Sequence, residues 1–166
     1  DTADDLKAFR DKVNGGNTSA CALLTSNITL DKNESWTPIG TRSNKYAGTF
    51  DGDNHTISGI NVNNSDYAGL FGVGNVSDGA SPVIKNLTIS KSSIISTGND
   101  AGTFAGWSGG TFINCHTTSD VNVQGTGEVG GIVGYYQIKM SATSTMEQCS
   151  NLATVTEKNT NSKNGI

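Results

Sequence analysis

The sequence predicts an all-β protein, a parallel β-helix whose stacked coils follow a short N-terminal capping helix. Two short motifs recur in the same order four times along the 166 residues, and such internal repeats are typical of solenoids. The first motif stands at residues 47–50 (AGTF), 68–71 (AGLF), 101–104 (AGTF) and, loosely, 130–133 (GGIV). The second stands at 57–60 (ISGI), 84–87 (IKNL), 112–115 (FINC) and 146–149 (MEQC). The 21 glycines and the many Asn, Ser and Thr residues also favour a turn-rich β fold.

Residues 2–13 are predicted to form the capping helix. Thr2 is a suitable N-cap, and Leu6, Phe9 and Val13 recur at helical spacing on one face. The glycines at 15 and 16 are expected to end the helix. Such a short helix is not stable alone, so we expect it to cover the unpaired strand edge of the first coil.

Residues 20–24 and 27–30 are predicted to be two short strands, and residues 36–40 (WTPIG) a turn, because Pro38 cannot lie in a central strand. Two interpretations of Trp36 are open: it packs over the first coil, or its ring is exposed for stacking on a sugar.

The second motif has a spacing that predicts a sharp corner. Its apolar positions fall at i, i+3 and i+5, as at Ile84, Leu87 and Ile89, whereas a straight strand would place them at i, i+2 and i+4. The residue before the i+3 position is Gly, Asn or Gln, and Gly and Asn tolerate the left-handed backbone of a tight bend. The Asn and Gln amides are expected to hydrogen-bond from coil to coil.

Stacked coils place equivalent side chains over one another in columns, and successive coils are about 4.8 Å apart. Three buried columns are expected from the alignment of the motifs: Phe50, Phe71, Phe104 and Val133; Ile57, Ile84, Phe112 and Met146; and Ile60, Leu87, Cys115 and Cys149.

The order of the two motifs resembles that of the GLUG-type repeat proteins. Residues 69–72 (GLFG) are the nearest copy of the motif that names this family, and residues 36–40, 48–52 (GTFDG) and 55–57 (HTI) are similar to the stretch that opens such arrays. The resemblance extends over roughly residues 6–155, and residues 131–134 (GIVG) depart from it by lacking the phenylalanine. It implies a right-handed parallel β-helix of a secreted or cell-surface bacterial protein, as in adhesins and the non-catalytic region of some bacterial immunoglobulin A proteases.

The sequence offers little evidence of chemistry. Asp51 and Asp53 resemble the start of a calcium loop, but further acidic ligands are missing and a turn between strands is the preferred interpretation. Cys115 and Cys149 are expected to stack as small buried hydrophobes, with a disulfide as the alternative. Glutamates appear at different points of their coils, so no row of acids is expected. We therefore expect no enzymatic activity, no metal and no cofactor.

A binding site is predicted at an aromatic platform formed by Trp107, Tyr135 and Tyr136, whose rings would stack on a sugar; the alternative for Trp107, which stands next to Ser-Gly-Gly, is that it covers an edge of the core. The chain would then be an extracellular module for adhesion, for binding a glycan or a surface protein, or for spacing. The alternatives are a carbohydrate-active enzyme and the targeting region of a larger secreted protease. The net charge of −4 and the lack of a basic stripe argue against nucleic acid as a partner, and no apolar run is long enough for membrane insertion.

Three segments are expected: the capping helix at residues 1–16, the β-helix at 17–157 and a polar tail at 158–166. Because residues 165–166 (GI) resemble the start of another motif, further repeats of the same chain are expected beyond them.

Overall fold

A computed structural model describes residues 2–77, 79–137 and 144–158 of the chain. The protein is mostly β, a parallel β-solenoid of about four turns with one short N-terminal helix, as the sequence predicts. Asp78, residues 138–143 and the predicted tail from residue 159 onward lie outside the described residues.

Helix α1 spans Ala3–Asn14 and begins at the predicted N-cap. The Thr2 hydroxyl accepts a hydrogen bond from the backbone N–H of Asp5, and the Asp5 carboxylate accepts one from the Thr2 backbone N–H, which completes a capping box. Leu6 and Val13 are buried, and the ring of Phe9 meets those of core aromatic residues edge to face. The helix therefore covers the apolar interior at one end of the solenoid.

Fourteen strands follow within the described residues. In chain order they are β1 (Ala22–Leu23), β2 (Ile28–Thr29), β3 (Thr49–Ser58), β4 (Asn61–Ala68), β5 (Phe71–Val73), β6 (Val83–Ser90), β7 (Ser93–Gly102), β8 (Ala105–Ser108), β9 (Thr111–Thr117), β10 (Asn122–Gly125), β11 (Val129–Gly130), β12 (Val133–Tyr136), β13 (Met146–Glu147) and β14 (Thr154–Glu157).

The strands form three parallel sheets, which are the walls of the solenoid. The first sheet runs β1-β3-β6-β9-β13, with β2 also paired to β3. The second runs β11-β7-β10-β14, with β4 paired to β7, and the third runs β12-β8-β5. Each strand pairs with one from the next coil, about 30 residues away, so equivalent residues lie over one another.

The first coil is also sealed by Trp36. Its ring is buried, and its indole N–H donates a hydrogen bond to the Leu70 carbonyl oxygen at 3.1 Å. The packing interpretation of Trp36 is therefore confirmed, and the alternative of an exposed sugar-stacking ring is wrong.

The corners have the backbone that the motif spacing predicts. Gly59, Asn86, Asn114 and Gln148 all have positive φ, between 52° and 78°. The amides also connect the coils: Asn114 Nδ2 donates to Asn86 Oδ1 at 3.1 Å, and Asn86 Nδ2 donates to Asp51 Oδ1 at 3.0 Å. These bonds join successive coils at a bend within β3, β6 and β9 of the first wall.

Each of the three expected columns contains an error of register. Phe50 pairs with Ile84, Ile84 with Phe112 and Phe112 with Met146, so Phe50 heads the column that was expected to begin at Ile57. Ile57 instead pairs with Ile28 and Ile89. Leu87 pairs with Cys115 as expected. Ile60 is not part of their column, because it lies at the following corner of its coil, where its backbone N–H donates a hydrogen bond to the Ser92 hydroxyl.

The physical reason is that each coil has two corners of the same spacing. Ile57, Ile60 and Val62 surround the second corner of their coil, whereas Ile84, Leu87 and Ile89 surround the first corner of the next. In the earlier coil the first corner is lengthened by a register shift between Asp51 and His55, where Asp53 and Asn54 take left-handed conformations. The motif is therefore hidden at that corner, and the alignment moved to the following one.

The third wall shows a shift by one residue. Phe71 pairs with Ala105, and Ala105 with Val133, so Phe104 does not belong to their column. All three phenylalanines of the expected column are nevertheless buried, and the rings of Phe50 and Phe71 meet edge to face across the interior at 5.5 Å. Met146 ends its column with 42% of its surface exposed, so its expected burial is wrong.

Candidate functional site

Three aromatic side chains from successive coils form a row on the outer surface, here called the aromatic strip: Tyr67, Trp107 and Tyr135. Trp107 of β8 pairs in register with Tyr135 of β12, which brings their rings to 6.3 Å with planes 21° apart. Tyr67, at the end of β4, brings its ring to 5.6 Å from Trp107. The indole N–H of Trp107 donates a hydrogen bond to Gln137 Oε1 at 3.0 Å, which fixes the orientation of the ring.

Tyr136 was predicted to belong to this platform and does not. Successive residues of a strand point to opposite faces, so Tyr135 and Tyr136 diverge. The ring of Tyr136 meets that of Phe112 edge to face at 6.1 Å, and its hydroxyl donates a hydrogen bond to the Gly110 carbonyl at 2.6 Å. Tyr136 is thus part of the packing of the third coil.

Tyr67 was missed, although the sequence carries a signal for it. It immediately precedes the AGLF motif, and the residues before the next two copies of that motif in the true register are Asp100 and Glu128. Tyr67 pairs with Asp100 in the ladder between β4 and β7. One outward position therefore changes from an aromatic residue to two acids in successive coils.

Two basic side chains lie against the aromatic strip. The guanidinium carbon of Arg42 is 5.8 Å from the ring centroid of Tyr67 and 5.9 Å from that of Trp107. Lys45 Nζ is 5.4 Å from the Trp107 ring and 3.4 Å from the Ser77 hydroxyl. Both come from the loop before β3, which the sequence analysis left without a role. Among the described ion pairs none involves Arg42, which lines the groove beside the strip.

Two carboxyl groups lie at the other side of the strip. Asp100 is only 5% exposed, whereas Glu128, which hydrogen-bonds to it, is exposed. Burial, followed by the hydrogen bond and the negative charge of Glu128, raises the pKa of the Asp100 carboxyl to about 7. The expectation of no row of acids rested on the glutamates alone and left out Asp100, which the fold places beside Glu128.

These groups line a surface groove of about 220 Å³. Its walls are Arg42, Tyr67, Asn99, Asp100, Trp107, Glu128 and Tyr135. A second groove of about 430 Å³ shares Arg42 and Tyr67 and continues past Asp66 and Thr41. The two together offer rings, carboxyls and a guanidinium along a continuous outer face.

The arrangement suits an extended, polar ligand with apolar faces. Aromatic rings stack on such faces, and charged hydrogen-bonding groups at the rim fix the orientation. Tyr135 is 43% exposed and belongs to the edge strand of the third sheet as described, so it is the most open ring of the strip.

The site predicted to be a turn rather than a calcium loop is engaged by protein groups. Asp51 forms an ion pair with Lys85 at 2.9 Å and accepts a hydrogen bond from the Asp53 backbone N–H at 3.0 Å. Among the described residues, no cluster of three His, Cys, Asp or Glu side chains is arranged to hold a metal ion. In the same part of the chain, no helix has the length and hydropathy to cross a membrane.

Part of the chain is similar to Halomucin of the archaeon Haloquadratum walsbyi, a very large surface protein. The two are 40% identical over 91 residues, which are 54% of this chain and 1% of Halomucin. No protein-family model matches the chain. No solved structure matches it significantly. The similarity indicates a cell-surface or extracellular protein, and the relative is archaeal, whereas a bacterial protein was expected.

Proposed function

We propose that this chain is a non-catalytic repeat segment of a large extracellular surface protein, and that the groove along the aromatic strip binds a glycan. The observation that carries the proposal is the row of Tyr67, Trp107 and Tyr135 in a groove that is also lined by charged side chains. The partial similarity to Halomucin supports the surface location, and the motifs shared with GLUG-type repeats support a role in adhesion or spacing.

Sugar recognition needs two kinds of contact, and both are at hand. The apolar face of a pyranose ring packs on an aromatic ring, for which the exposed Tyr135 is the first candidate. Sugar hydroxyls then hydrogen-bond to charged groups, for which Arg42, Asp100 and Glu128 line the groove. The exposed Glu128 carboxyl has oxygens that accept hydrogen bonds and the Arg42 guanidinium only donates them, so together they match a hydroxyl that does both.

The test is a glycan array followed by calorimetry on the best ligand. Tyr135→Ala is expected to weaken binding by roughly two- to twelvefold, since a stacked ring contributes about 0.5–1.5 kcal/mol. Tyr136→Phe is the matched control, because the neighbouring ring faces the interior and its hydroxyl binds Gly110. Equal affinities of Tyr135→Ala and the unaltered protein, or no glycan bound at all, would refute the proposed site.

A carbohydrate-active enzyme is the second candidate, and one observation favours it. Asp100 holds a proton near neutral pH, as a general acid of a glycosidase must. Against it, glycosidase carboxyls are about 5–5.5 Å or 6.5–9.5 Å apart, whereas Asp100 and Glu128 hydrogen-bond to each other. Release of reducing sugar by the unaltered protein, abolished in Asp100→Asn, would establish catalysis and overturn the non-catalytic assignment.

A further inference from the structure

The last coil is the least enclosed part of the described solenoid. Its strand in the first wall, β13, has two residues, whereas β9 below it has seven. Met146 is 42% exposed, although Phe112 in the same column is fully buried. Leu152 and Val155 of this coil are also exposed. Within the described residues, this coil is therefore less buried than the coils before it.

Two cysteines stand at the junction of this coil with the third. His116 pairs with Ser150, and the Ser150 backbone N–H donates to the Cys115 carbonyl at 3.0 Å, so Cys149 lies directly over Cys115. Neighbouring strands are about 4.8 Å apart, and disulfides join residues whose Cα atoms are about 4.4–6.8 Å apart. Each cysteine follows a left-handed residue, Asn114 or Gln148, so both corners turn their thiols in the same way.

The surroundings of the two sulfurs differ in a way that suits stepwise reaction. Cys115 is fully buried, and its thiol approaches the Ile84 carbonyl at 3.4 Å. Cys149 is partly exposed, and its thiol approaches the Glu147 carbonyl at 3.3 Å. A hydrogen bond from the Cys115 thiol lowers the pKa of Cys149 below its usual range, and the same contact with burial raises that of Cys115. The accessible thiol is thus the more nucleophilic of the two.

We propose that Cys115 and Cys149, which are free thiols in this structure, form a disulfide that fastens the last coil to the third when an external disulfide acts as oxidant. The Cys149 thiolate attacks one sulfur of the oxidant, forms a mixed disulfide and releases one thiolate. The Cys115 thiol then loses its proton and attacks the Cys149 sulfur, which releases the second thiol. Two protein thiols and one external disulfide thereby become one protein disulfide and two external thiols.

Disulfide bonds persist in extracellular proteins because their surroundings are oxidising, so the proposed surface location is compatible with this bond. The loop that the bond closes runs from 115 to 149 and contains β10, β11 and β12, which carries Tyr135. The inference does not depend on glycan binding, because it rests on the stacking of two coils alone.

The experiment uses the full chain with Cys21→Ser, since Cys21 is exposed and would otherwise react separately. The folded protein is equilibrated with oxidised glutathione, and free thiols are counted with and without denaturant. The expected result is the loss of both thiols, a mass lower by two hydrogens, and one peptide linking 115 to 149 after digestion. Proteolysis within the last coil is expected to slow on oxidation, and the melting temperature to rise by roughly 4–10 °C.

A variant that also carries Cys149→Ser is the control. Because Cys149 is partly exposed, the fold is expected to tolerate this change, and circular dichroism checks that the variant is folded. It is expected to keep the proteolysis rate of the reduced protein under either redox condition. Two intact thiols in the folded protein after equilibration would overturn the proposal, as would stable glutathione adducts without a linked peptide. Linkage only after denaturation would overturn it equally.

Discussion

Tyr46 carries a buried hydroxyl for which the described protein atoms offer no hydrogen-bond partner. The ring is fully enclosed, stacks on Phe71 at 5.0 Å and meets Phe9 edge to face at 6.0 Å. Burial raises the pKa of this phenol far above its ordinary value. A buried hydroxyl without a partner costs about 1–3 kcal/mol in lost hydration. Removal of the oxygen should therefore stabilise the fold.

Tyr46→Phe is expected to raise the free energy of unfolding by about 0.5–2 kcal/mol, the lower bound allowing for the small void left by the oxygen. Tyr136→Phe makes the same chemical change where the hydroxyl donates to the Gly110 carbonyl at 2.6 Å. That variant should lose about 0.5–1.5 kcal/mol. In a chain of this length, each 1 kcal/mol moves the melting temperature by about 2–4 °C.

The two variants are compared by urea unfolding and by calorimetry under identical conditions. The reasoning predicts shifts of opposite sign, and a spectrophotometric titration of the unaltered protein should show one tyrosine that resists ionisation until the fold is lost. A destabilised Tyr46→Phe variant would refute the argument, because it would mean that the Tyr46 hydroxyl is bonded within the folded protein.

Three further predictions concern the core, a corner and the groove. Phe71→Ala should cost about 3–5 kcal/mol by urea unfolding, and Phe71→Leu much less, because the ring also contacts Tyr46 and Phe50; similar midpoints would argue against a packed interior. Asn114→Ala should be less stable than Asn114→Gly, the reverse of the usual order, because φ is 52° and a side chain other than Asn is strained there by about 1–2 kcal/mol; the usual order would contradict the left-handed corner. Asp100 titrates near 7 when folded against an ordinary value of 3.8, so the folded state holds its proton between these values and stability falls as pH rises through this window. Asp100→Asn should therefore gain stability relative to the unaltered protein as the pH rises from about 4 to about 7, by at most ~1.4 kcal/mol per unit of pKa difference, and parallel pH profiles in this range would exclude the protonated carboxyl.

The corners could be predicted from the sequence because they impose a local, covalent requirement. Side chains alternate between the two faces of a strand, so apolar residues three positions apart can both point inward only if the chain bends between them. The backbone at that bend is left-handed. Asn86 and Asn114 satisfy that requirement and use their amides to join neighbouring coils. The existence of stacked coils follows from such repeats without any knowledge of distant contacts.

The register could not be predicted in the same way, because it depends on counting residues through irregular segments. The two left-handed residues Asp53 and Asn54 lengthen one corner, and the step from Ala68 to Phe71 is one residue shorter than the matching step from Ala101 to Ala105. The first irregularity removes the i, i+3, i+5 apolar spacing from its corner, and the second leaves no sign in the local apolar pattern. Phe104 is expected to be buried in either register, so its burial does not show which column it belongs to.

The same dependence on register explains which part of the site was found. Trp107 and the neighbouring Tyr135 and Tyr136 follow the first motif at similar distances, so an aromatic cluster was within reach of the sequence, whereas the pairing of Trp107 with Tyr135 depends on the register. Asp100 and Glu128 are adjacent only once Ala101 is set against Val129, one residue away from the alignment used. Arg42 reaches the strip from a loop whose path no periodicity describes.

The inner and outer columns of this solenoid carry different constraints, and this separates fold from function. An inner position must remain apolar in every coil, as the column from Phe50 through Ile84 to Phe112 does. An outer position is free to change, and the column of Tyr67, Asp100 and Glu128 passes from a ring to two carboxyls. A binding groove is therefore composed across coils by substitutions that leave the stacking intact. The stack itself fixes the spacing of the groups, so ligand specificity should change with single outer residues, whereas the insertion of one residue in a corner would displace the whole site.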